Sequence, residues 1–165
     1  MIHFVGAGPG AADLITMRGH QLLTEADVII YAGSLVNPEL LQYAKASCSI
    51  YNSASMTLED VIYVMKQAEE KNQMTVRLHT GDPSLYGAIR EQMDQLDKDN
   101  ISYDVVPGVS SFCGAAAALK AEYTLPNVSQ SVIITRMAGK TPVPEKEEIA
   151  LLAAHQATMV IFLRT

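Results

Sequence analysis

The sequence has no tryptophan, only three phenylalanines and two cysteines, and no long apolar run. None of its hydrophobic stretches approaches the ~20 residues that a membrane-spanning helix needs, so we expect no transmembrane segment. The first residues carry no basic segment ahead of their apolar stretch, and we therefore expect no signal peptide. Cys48 and Cys113 lack metal-like spacing and predict two reduced thiols in a cytoplasmic protein.

Metal ligands and positive charge are also scarce. The four histidines are scattered and no two of them lie at ligand spacing, so we expect no metal site. Lysine and arginine number 12 against 18 acidic residues, which gives a net charge of −6 and argues against a nucleic-acid partner. An anionic small molecule stays compatible with this charge, because a few arginines in one cleft can bind carboxylates.

Short apolar runs alternate with segments of helical spacing through residue 120. This alternation predicts an α/β fold, with a mostly parallel sheet and helices on both faces. The expected strands are His3–Val5, Asp27–Tyr31, Cys48–Tyr51, Met74–His79 and Tyr103–Val106. The expected helices are Thr16–Ala26, Pro38–Ala44, Thr57–Lys71, a helix from the Gly-Asp-Pro turn to Asp99, and Ala115–Leu119.

Two helices carry more specific predictions. In the first, Leu14, Met17, Leu22 and Leu23 can share one face. Met17, Met65 and Met93, each in a different predicted helix, are interpreted as core residues. Thr57 is expected to be an N-cap, with Glu59 and Asp60 in the first turn of its helix.

The pattern changes after residue 120. We predict a first α/β domain over residues 1–120, a connector over 121–130, and a partial second α/β domain over 131–165. The second domain is expected to contain strand Ser131–Arg136, helix Glu147–His155 and strand Thr158–Leu163. One strand-helix-strand unit cannot close its own core, so we expect the sequence to be a truncated version of a longer protein.

Three glycine-containing turns each follow a predicted strand: Gly6–Gly10, Thr80–Pro83 and Pro107–Ser111. In a parallel sheet such turns lie at the carboxyl edge, where ligands bind. Each turn taken alone is also compatible with a plain tight turn or with close helix-strand packing. The sequence GAGPG is a poor dinucleotide fingerprint, because its third glycine comes one residue early and no acid closes the second strand.

Taken together, these motifs resemble the tetrapyrrole methyltransferases, which use S-adenosylmethionine on corrin and sirohaem precursors. The matching segments occur in the family's order: GAGPGAADLIT, ADVIIYAGSLV, HTGDPSLYGA, VPGVSS and TRMAGKTPVPE. The combination of YAGSLV, HTGDPSLYGA and TRMAGKTPVPE is most similar to the branch that methylates C11 of precorrin-4 or cobalt-precorrin-4 in cobalamin biosynthesis, and the TPVPE loop is the most discriminating part of it. The alternatives are another corrin or sirohaem methylase, a non-catalytic tetrapyrrole-binding fragment, or a dinucleotide-dependent enzyme.

The resemblance implies two α/β domains, a cofactor in the cleft between them, and a homodimer. It assigns cofactor binding to Pro9, Thr80, Gly81, Asp82, Leu85, Ser110, Ser111 and Leu163. The substrate carries many carboxylates and needs cationic partners. Arg18, Arg90, Arg136 and Lys140 are the candidates, and Arg136 and Lys140 are preferred because they lie in the most distinctive motif.

The sequence departs from the family pattern at one place. Sirohaem-type relatives have an aspartate after the second strand that is proposed as a base, whereas this chain has Ala32-Gly33. The catalytic base is therefore left unassigned. Tyr86 and His79 are further candidates for contact with the cofactor or substrate, although a hydrogen-bonded core histidine is the favoured interpretation of His79.

Overall fold

The structure is a computed structural model that describes residues 1–139 and 141–162. The chain divides into two compact units, Met1–Gly114 and Ala115–Thr165. The strands are β1 (Ile2–Gly6), β2 (Val28–Tyr31), β3 (Ser49–Asn52), β4 (Thr75–His79), β5 (Tyr103–Val106), β6 (Val132–Arg136) and β7 (Thr158–Phe162). The α-helices are α1 (Met17–Glu25), α2 (Leu58–Glu70), α3 (Ile89–Lys98), α4 (Ser111–Leu119) and α5 (Ile149–Ala153).

The first unit contains a five-stranded sheet in the order β3-β2-β4-β1-β5. Each neighbouring pair of strands runs parallel. The sheet is buried on both faces, and most of the residues that pack there are apolar, as expected of parallel strands covered by helices. The predicted fold class is therefore confirmed.

The two faces of the sheet are covered by different helices. On one face, Leu23 of α1 packs in a cluster with Val5 and Leu78. On the other face, Met65 of α2 and Leu96 of α3 pack in a cluster with Phe4. After β1 the chain continues into α1, which covers one face of the sheet. After the neighbouring strand β4 it continues into α3, which covers the opposite face. A crevice forms at the carboxyl ends of strands where the connections diverge in this way, and ligands of open α/β sheets bind there.

Short 3-10 helices and local caps complete the first unit. The 3-10 helices are Ala12–Leu14, Gly33–Leu35, Pro38–Tyr43 and Ser53–Ser55. Thr57 caps α2 as predicted: its hydroxyl accepts from the Asp60 N–H, and the Asp60 carboxylate accepts from the Thr57 N–H. This reciprocal pair is a capping box, which satisfies two amide groups that the helix leaves unpaired.

In the second unit, β6 and β7 pair in parallel, in register from Val132 opposite Thr158 to Arg136 opposite Phe162. A 3-10 helix (Glu145–Glu147) and α5 connect them, so the regular α-helix is shorter than predicted. Thr158 ties β7 to the segment before β6: its N–H donates to Ser129 Oγ at 2.9 Å and its hydroxyl donates to the Tyr123 carbonyl at 2.8 Å. The proposed domain limits at residues 120 and 130 stay a prediction.

The predicted core position of Met17 is wrong. Met17 is the first residue of α1 and is 91% exposed, and Leu14 is 44% exposed. The buried face of α1 contains Leu23 and a glycine, Gly19, whose added β-carbon would lie 3.0 Å from the Val5 side chain. A count of apolar side chains misses this face because a glycine forms part of it. No helix in the described ranges is long and apolar enough to cross a membrane.

Candidate functional site

The three glycine-containing turns meet at the carboxyl ends of β1, β4 and β5. Gly8 and Gly81 exchange backbone hydrogen bonds with N–O distances of 3.2 and 3.0 Å. A β-carbon added to Gly6 would lie 2.5 Å from the Gly108 α-carbon, and one added to Gly108 would lie 2.1 Å from the Gly81 carbonyl oxygen. The turns pack backbone against backbone because glycine has no side chain. The prediction that they share one edge of the sheet is confirmed.

Asp82 joins two of these turns through its carboxylate. Oδ2 accepts from the Gly108 N–H at 2.9 Å. Oδ1 accepts from the Ser84 N–H at 2.8 Å and also from the Ser84 hydroxyl. Partial burial raises the pKa of this carboxyl, but the hydrogen bonds from Ser84 and Gly108 outweigh it and lower the pKa below its ordinary value. Asp82 is therefore an ionised group that fixes the shape of the edge.

The start of α4 lies at the same edge. Ser110 is buried, and its carbonyl accepts from the N–H groups of Cys113 and Gly114 at 3.0 and 3.3 Å. Ser111 is exposed and is the first residue of α4. A β-carbon added to Gly114 would lie 2.5 Å from the Pro9 β-carbon, so α4 approaches the first glycine turn closely. Pro9, Ser110 and Ser111 are thus brought to one edge.

The segment after Asp82 is a strained turn. Thr80 and Leu85 are half-buried, and the Leu85 N–H donates to the Asp82 carbonyl at 3.2 Å. Tyr86 and Ala88 both adopt the left-handed conformation, with φ of 56° and 50°. Helix α3 begins only at Ile89, so the prediction that a helix opens directly at the Gly-Asp-Pro turn is wrong.

Gly87 explains why the helix starts late. A β-carbon added to Gly87 would lie 2.2 Å from the Pro83 carbonyl oxygen, so the chain folds back tightly over Pro83 before α3 begins. Tyr86 is half-exposed beside this fold.

Strand β4 carries a buried polar face that the sequence analysis missed. Thr75, Arg77 and His79 alternate with the apolar Val76 and Leu78, and all five are buried. Arg77 donates from Nε to Gln92 Oε1 at 3.1 Å and from Nη1 to the Ile30 carbonyl at 3.2 Å. One signal of this face was present in the sequence, because polar and apolar residues alternate strictly along the strand. The apolar residues Val76 and Leu78 belong to the core on the other side of the strand.

His79 is 3% exposed and its ring lies near that of Phe4, with centroids 6.0 Å apart and the ring planes tilted by 31°. Burial, with a smaller contribution from the positive charge of Arg77, lowers the pKa of His79 to about 3, so the ring is neutral at pH 7. Its Nε2 has no hydrogen-bond partner among the described residues. The predicted burial of His79 is confirmed, but the expected hydrogen bonding is wrong for Nε2.

In the second unit, Arg136 organises its own loop. Nη1 donates to the carbonyls of Met137 and Thr141 at 3.2 and 3.0 Å, and Nη2 donates to the Pro142 carbonyl at 2.9 Å. Three of the five N–H donors of this guanidinium are thus used within the loop. The other predicted substrate residue, Lys140, and the predicted cofactor residue Leu163 lie outside the described residues.

The remaining sequence candidates have simpler surroundings. Arg18 is exposed on α1, and Arg90 pairs on the surface of α3 with Asp94 and, at 3.8 Å, with Asp97. At the end of β2, Gly33 has φ of 59°, and an added β-carbon would lie 2.8 Å from the Ala54 β-carbon. Close packing therefore accounts for glycine at the place where the family resemblance led us to look for an acid.

The described edge thus offers backbone amides, hydroxyls and half-buried apolar side chains around one fixed carboxylate. The profile of a known family, Tetrapyrrole (Corrin/Porphyrin) Methylases, matches residues 1–165. The cobalt-precorrin-4 C(11)-methyltransferase of Methanocaldococcus jannaschii is 60% identical over 159 residues, which cover 96% of this chain and 61% of that protein. The enzyme of the same name from Priestia megaterium is 46% identical and covers 98% of this chain and 63% of that protein.

A solved structure gives the same result. The X-ray structure of the cobalamin biosynthetic enzyme cobalt precorrin-4 methyltransferase, CbiF, superposes with a TM-score of 0.94 at 45% identity. It covers 98% of this chain and 67% of that chain. The chain therefore spans about three fifths to two thirds of the length of the relatives it matches. The profile match over residues 1–165 and these identities establish that the chain belongs to the tetrapyrrole methylase family.

Proposed function

We propose that this chain belongs to an enzyme that transfers a methyl group from S-adenosylmethionine to C11 of precorrin-4 or cobalt-precorrin-4 in cobalamin biosynthesis. The observation that carries the proposal is the meeting of three glycine turns at the point where β1 and β4 send the chain to opposite faces. The names of the relatives at 60% and 46% identity support the choice of reaction.

The residues at this edge fit the cofactor. S-adenosylmethionine supplies an activated methyl group and presents both polar ends and an apolar ring. Ser110 and Ser111 offer hydroxyls, and the glycine turns offer backbone groups that a ligand can approach closely. Leu85 and Pro9 offer half-buried apolar contact. We assign cofactor binding to these residues together with Thr80, Gly81 and Asp82.

Asp82 has a structural part in this proposal in addition to the assigned cofactor contact. Its carboxylate already accepts three hydrogen bonds from Gly108 and Ser84, so it holds two turns at fixed separation. A site of this kind contributes by orientation: holding the reacting groups in line can supply up to ~7–11 kcal/mol of the barrier in favourable cases. No residue is assigned as a base, because Ala32 and Gly33 follow β2 where the family resemblance suggested a carboxylate base.

The substrate carries several carboxylates, and guanidinium groups pair with carboxylates strongly. Arg136 is the proposed partner in the described part of the second unit, and Lys140, four residues later in the sequence, is the other proposed partner. The three hydrogen bonds to loop carbonyls hold the guanidinium of Arg136 in a fixed orientation. These bonds use three of its five N–H donors and leave two that they do not use. We further propose a homodimeric assembly in the cytoplasm, which matches its two free cysteines.

Calorimetric titration of the purified chain with S-adenosylhomocysteine and, separately, with NADH tests the cofactor assignment. We expect saturable binding of S-adenosylhomocysteine and none of NADH. The Gly139→Ala variant serves as a control and should bind as the wild type does, since a β-carbon at Gly139 meets nothing within 4 Å. Binding of NADH alone contradicts the proposal.

The reaction itself requires a second assay. Incubation with methyl-labelled S-adenosylmethionine and either precorrin-4 or cobalt-precorrin-4 should be done with the chain and with a form extended to the length of its relatives. We expect C11-methylated product from the extended form. Label on a different ring carbon would instead identify another methylase of the family, and sedimentation of both forms would test the homodimer.

A further inference from the structure

A charged residue, Arg77, lies on the central strand of the sheet, and no charged partner for it is found in the described part of the chain. Arg77 is 7% exposed, and its two hydrogen bonds go to neutral acceptors, Gln92 Oε1 and the Ile30 carbonyl. Among the described residues, no carboxylate forms an ion pair with Arg77. Burial lowers the pKa of its guanidinium to about 10, so it is charged at pH 7. Burial of a charge is costly unless hydrogen bonds replace those that the group loses from water.

Gln92 carries the connection from Arg77 to the surface. It lies on α3 and is 4% exposed. Its Oε1 accepts from Arg77 Nε, and its Nε2 donates to the Ala88 carbonyl at 3.1 Å. The side-chain amide is thereby fixed in one orientation, because the guanidinium can only donate. A continuous hydrogen-bonded path runs from the centre of the sheet to Ala88.

Ala88 needs such support. Ala88 and Tyr86 are both non-glycine residues in the left-handed region, and each costs conformational free energy there. The helix that follows has no side-chain cap at Ala88. The same turn continues directly into Asp82 and Leu85, whose backbone groups are hydrogen-bonded to each other.

We propose that Gln92, backed by Arg77, is a positioning residue that holds the left-handed Tyr86–Ala88 turn and so sets the Asp82–Leu85 edge for the cofactor. The inference rests on the proposed function for the identity of that cofactor. Its structural half, the restraint of the turn, is independent of any ligand.

The substitution Gln92→Glu separates the two halves of the path. A glutamate keeps the acceptor for Arg77 and gains an ion pair with it, but it loses the donor to the Ala88 carbonyl. We expect a urea midpoint equal to or above that of the wild type. Chymotrypsin cleavage after Tyr86 should rise about fivefold, and S-adenosylhomocysteine affinity should fall by a similar factor, as expected for loss of one hydrogen bond. Gln95→Glu, the same change on the same helix at a partly exposed position, should alter neither.

A second variant distinguishes positioning from ordinary core packing. Ala88→Gly removes the conformational cost of the left-handed residue. In the Gln92→Glu background, Ala88→Gly should therefore restore both the protease resistance and the affinity. A core defect at Gln92 would not be repaired by a change in backbone freedom at Ala88.

The outcomes separate the two proposals. Wild-type cleavage after Tyr86 in Gln92→Glu, or no rescue by Ala88→Gly, overturns the positioning role. If no variant and not even the wild type binds S-adenosylhomocysteine, the cofactor assignment fails, and the cleavage rates still decide whether Gln92 holds the turn. Weaker binding with unchanged cleavage also overturns the inference, because the turn would then not be the intermediary.

Discussion

The α-carbons of Gly6 and Gly108 lie so close that a β-carbon on Gly6 would come 2.5 Å from the Gly108 α-carbon. Gly6 ends β1, and Gly108 follows β5 directly beside it in the sheet. A β-carbon on Gly108 would in turn lie 2.1 Å from the Gly81 carbonyl oxygen. Backbone atoms of the three turns thus fill the space that a side chain at Gly6 or Gly108 would need.

Substitution of Gly108 by alanine is expected to be severe, because the neighbouring atoms are backbone and cannot rotate away. We expect a loss of at least about 3 kcal/mol in the free energy of unfolding, the upper range for overpacked sites. Urea denaturation of Gly108→Ala measures it, with Gly139→Ala as the control that should stay within about 0.5 kcal/mol of wild type. A near-neutral Gly108→Ala would show that the three turns do not pack as described.

Asp82→Ala tests the carboxylate that ties two of these turns. It removes the acceptors for Gly108 and Ser84, and we expect a loss of about 1–2 kcal/mol at pH 7 for this partly exposed group. The pKa of Asp82 is lowered from its ordinary value of 3.8. The stabilisation by its carboxylate is therefore complete when the pH is above 3.8 and is lost as the pH falls through the pKa of the folded state. The difference between wild type and Asp82→Ala should therefore shrink below about pH 4. A difference that is constant with pH would contradict an ionised Asp82 at this position.

The sequence was sufficient to predict the parallel sheet and the edge at which its turns meet. The strands are short apolar runs bounded by glycine and proline, and a parallel sheet leaves only one edge for the turns that follow them. The alternation of strands and helices also placed helices on both faces. Residue type and order alone were enough here, because these features depend on local pattern and chain direction.

Features that depend on tertiary packing were not predictable in the same way. The face of α1 was misassigned to Met17 because Gly19, which contributes no apolar side chain, forms the contact with Val5. Arg77 was overlooked because a charged residue ordinarily indicates exposure. Its burial depends on Gln92, which lies 15 residues away on a different element.

His79→Leu tests the neutral histidine on β4. The pKa of His79 is lowered to about 3 in the folded state from 6.5. The unfolded chain therefore takes up a proton below pH 6.5 that the native state excludes, and stability falls by up to about 1.4 kcal/mol per pH unit as the pH drops. Urea titrations between pH 6 and pH 4 should show a flatter dependence for His79→Leu than for wild type.

Thr75→Val is the matched control for this experiment. Thr75 lies on the same buried face of β4, and its hydroxyl, like His79 Nε2, has no partner among the described residues. The valine removes an unpaired polar atom but no titrating group, so the pH dependence should match that of wild type. Equal slopes for His79→Leu and wild type would mean that His79 takes up protons in the folded state as readily as in the unfolded chain.

Arg136→Lys asks whether Arg136 acts through its charge or through its shape. A lysine keeps the positive charge, but its ammonium cannot reach the carbonyls of Met137, Thr141 and Pro142 together, as the planar guanidinium does. We expect the loop to loosen. Amide hydrogen exchange at Gly139, whose N–H donates to the Thr141 carbonyl at 3.3 Å, should accelerate about fivefold.

Arg90→Lys, the same change at an exposed surface pair, should leave exchange at Gly139 unchanged. If Arg136→Lys loosens the loop and also weakens tetrapyrrole binding in the extended protein, the fixed orientation of the guanidinium matters for recognition. If it loosens the loop but leaves binding intact, positive charge at residue 136 is sufficient, because a flexible ammonium then serves the substrate carboxylates equally well. An unchanged Gly139 exchange rate would contradict the loop-organising role itself, since that role depends on three carbonyls held by one planar group.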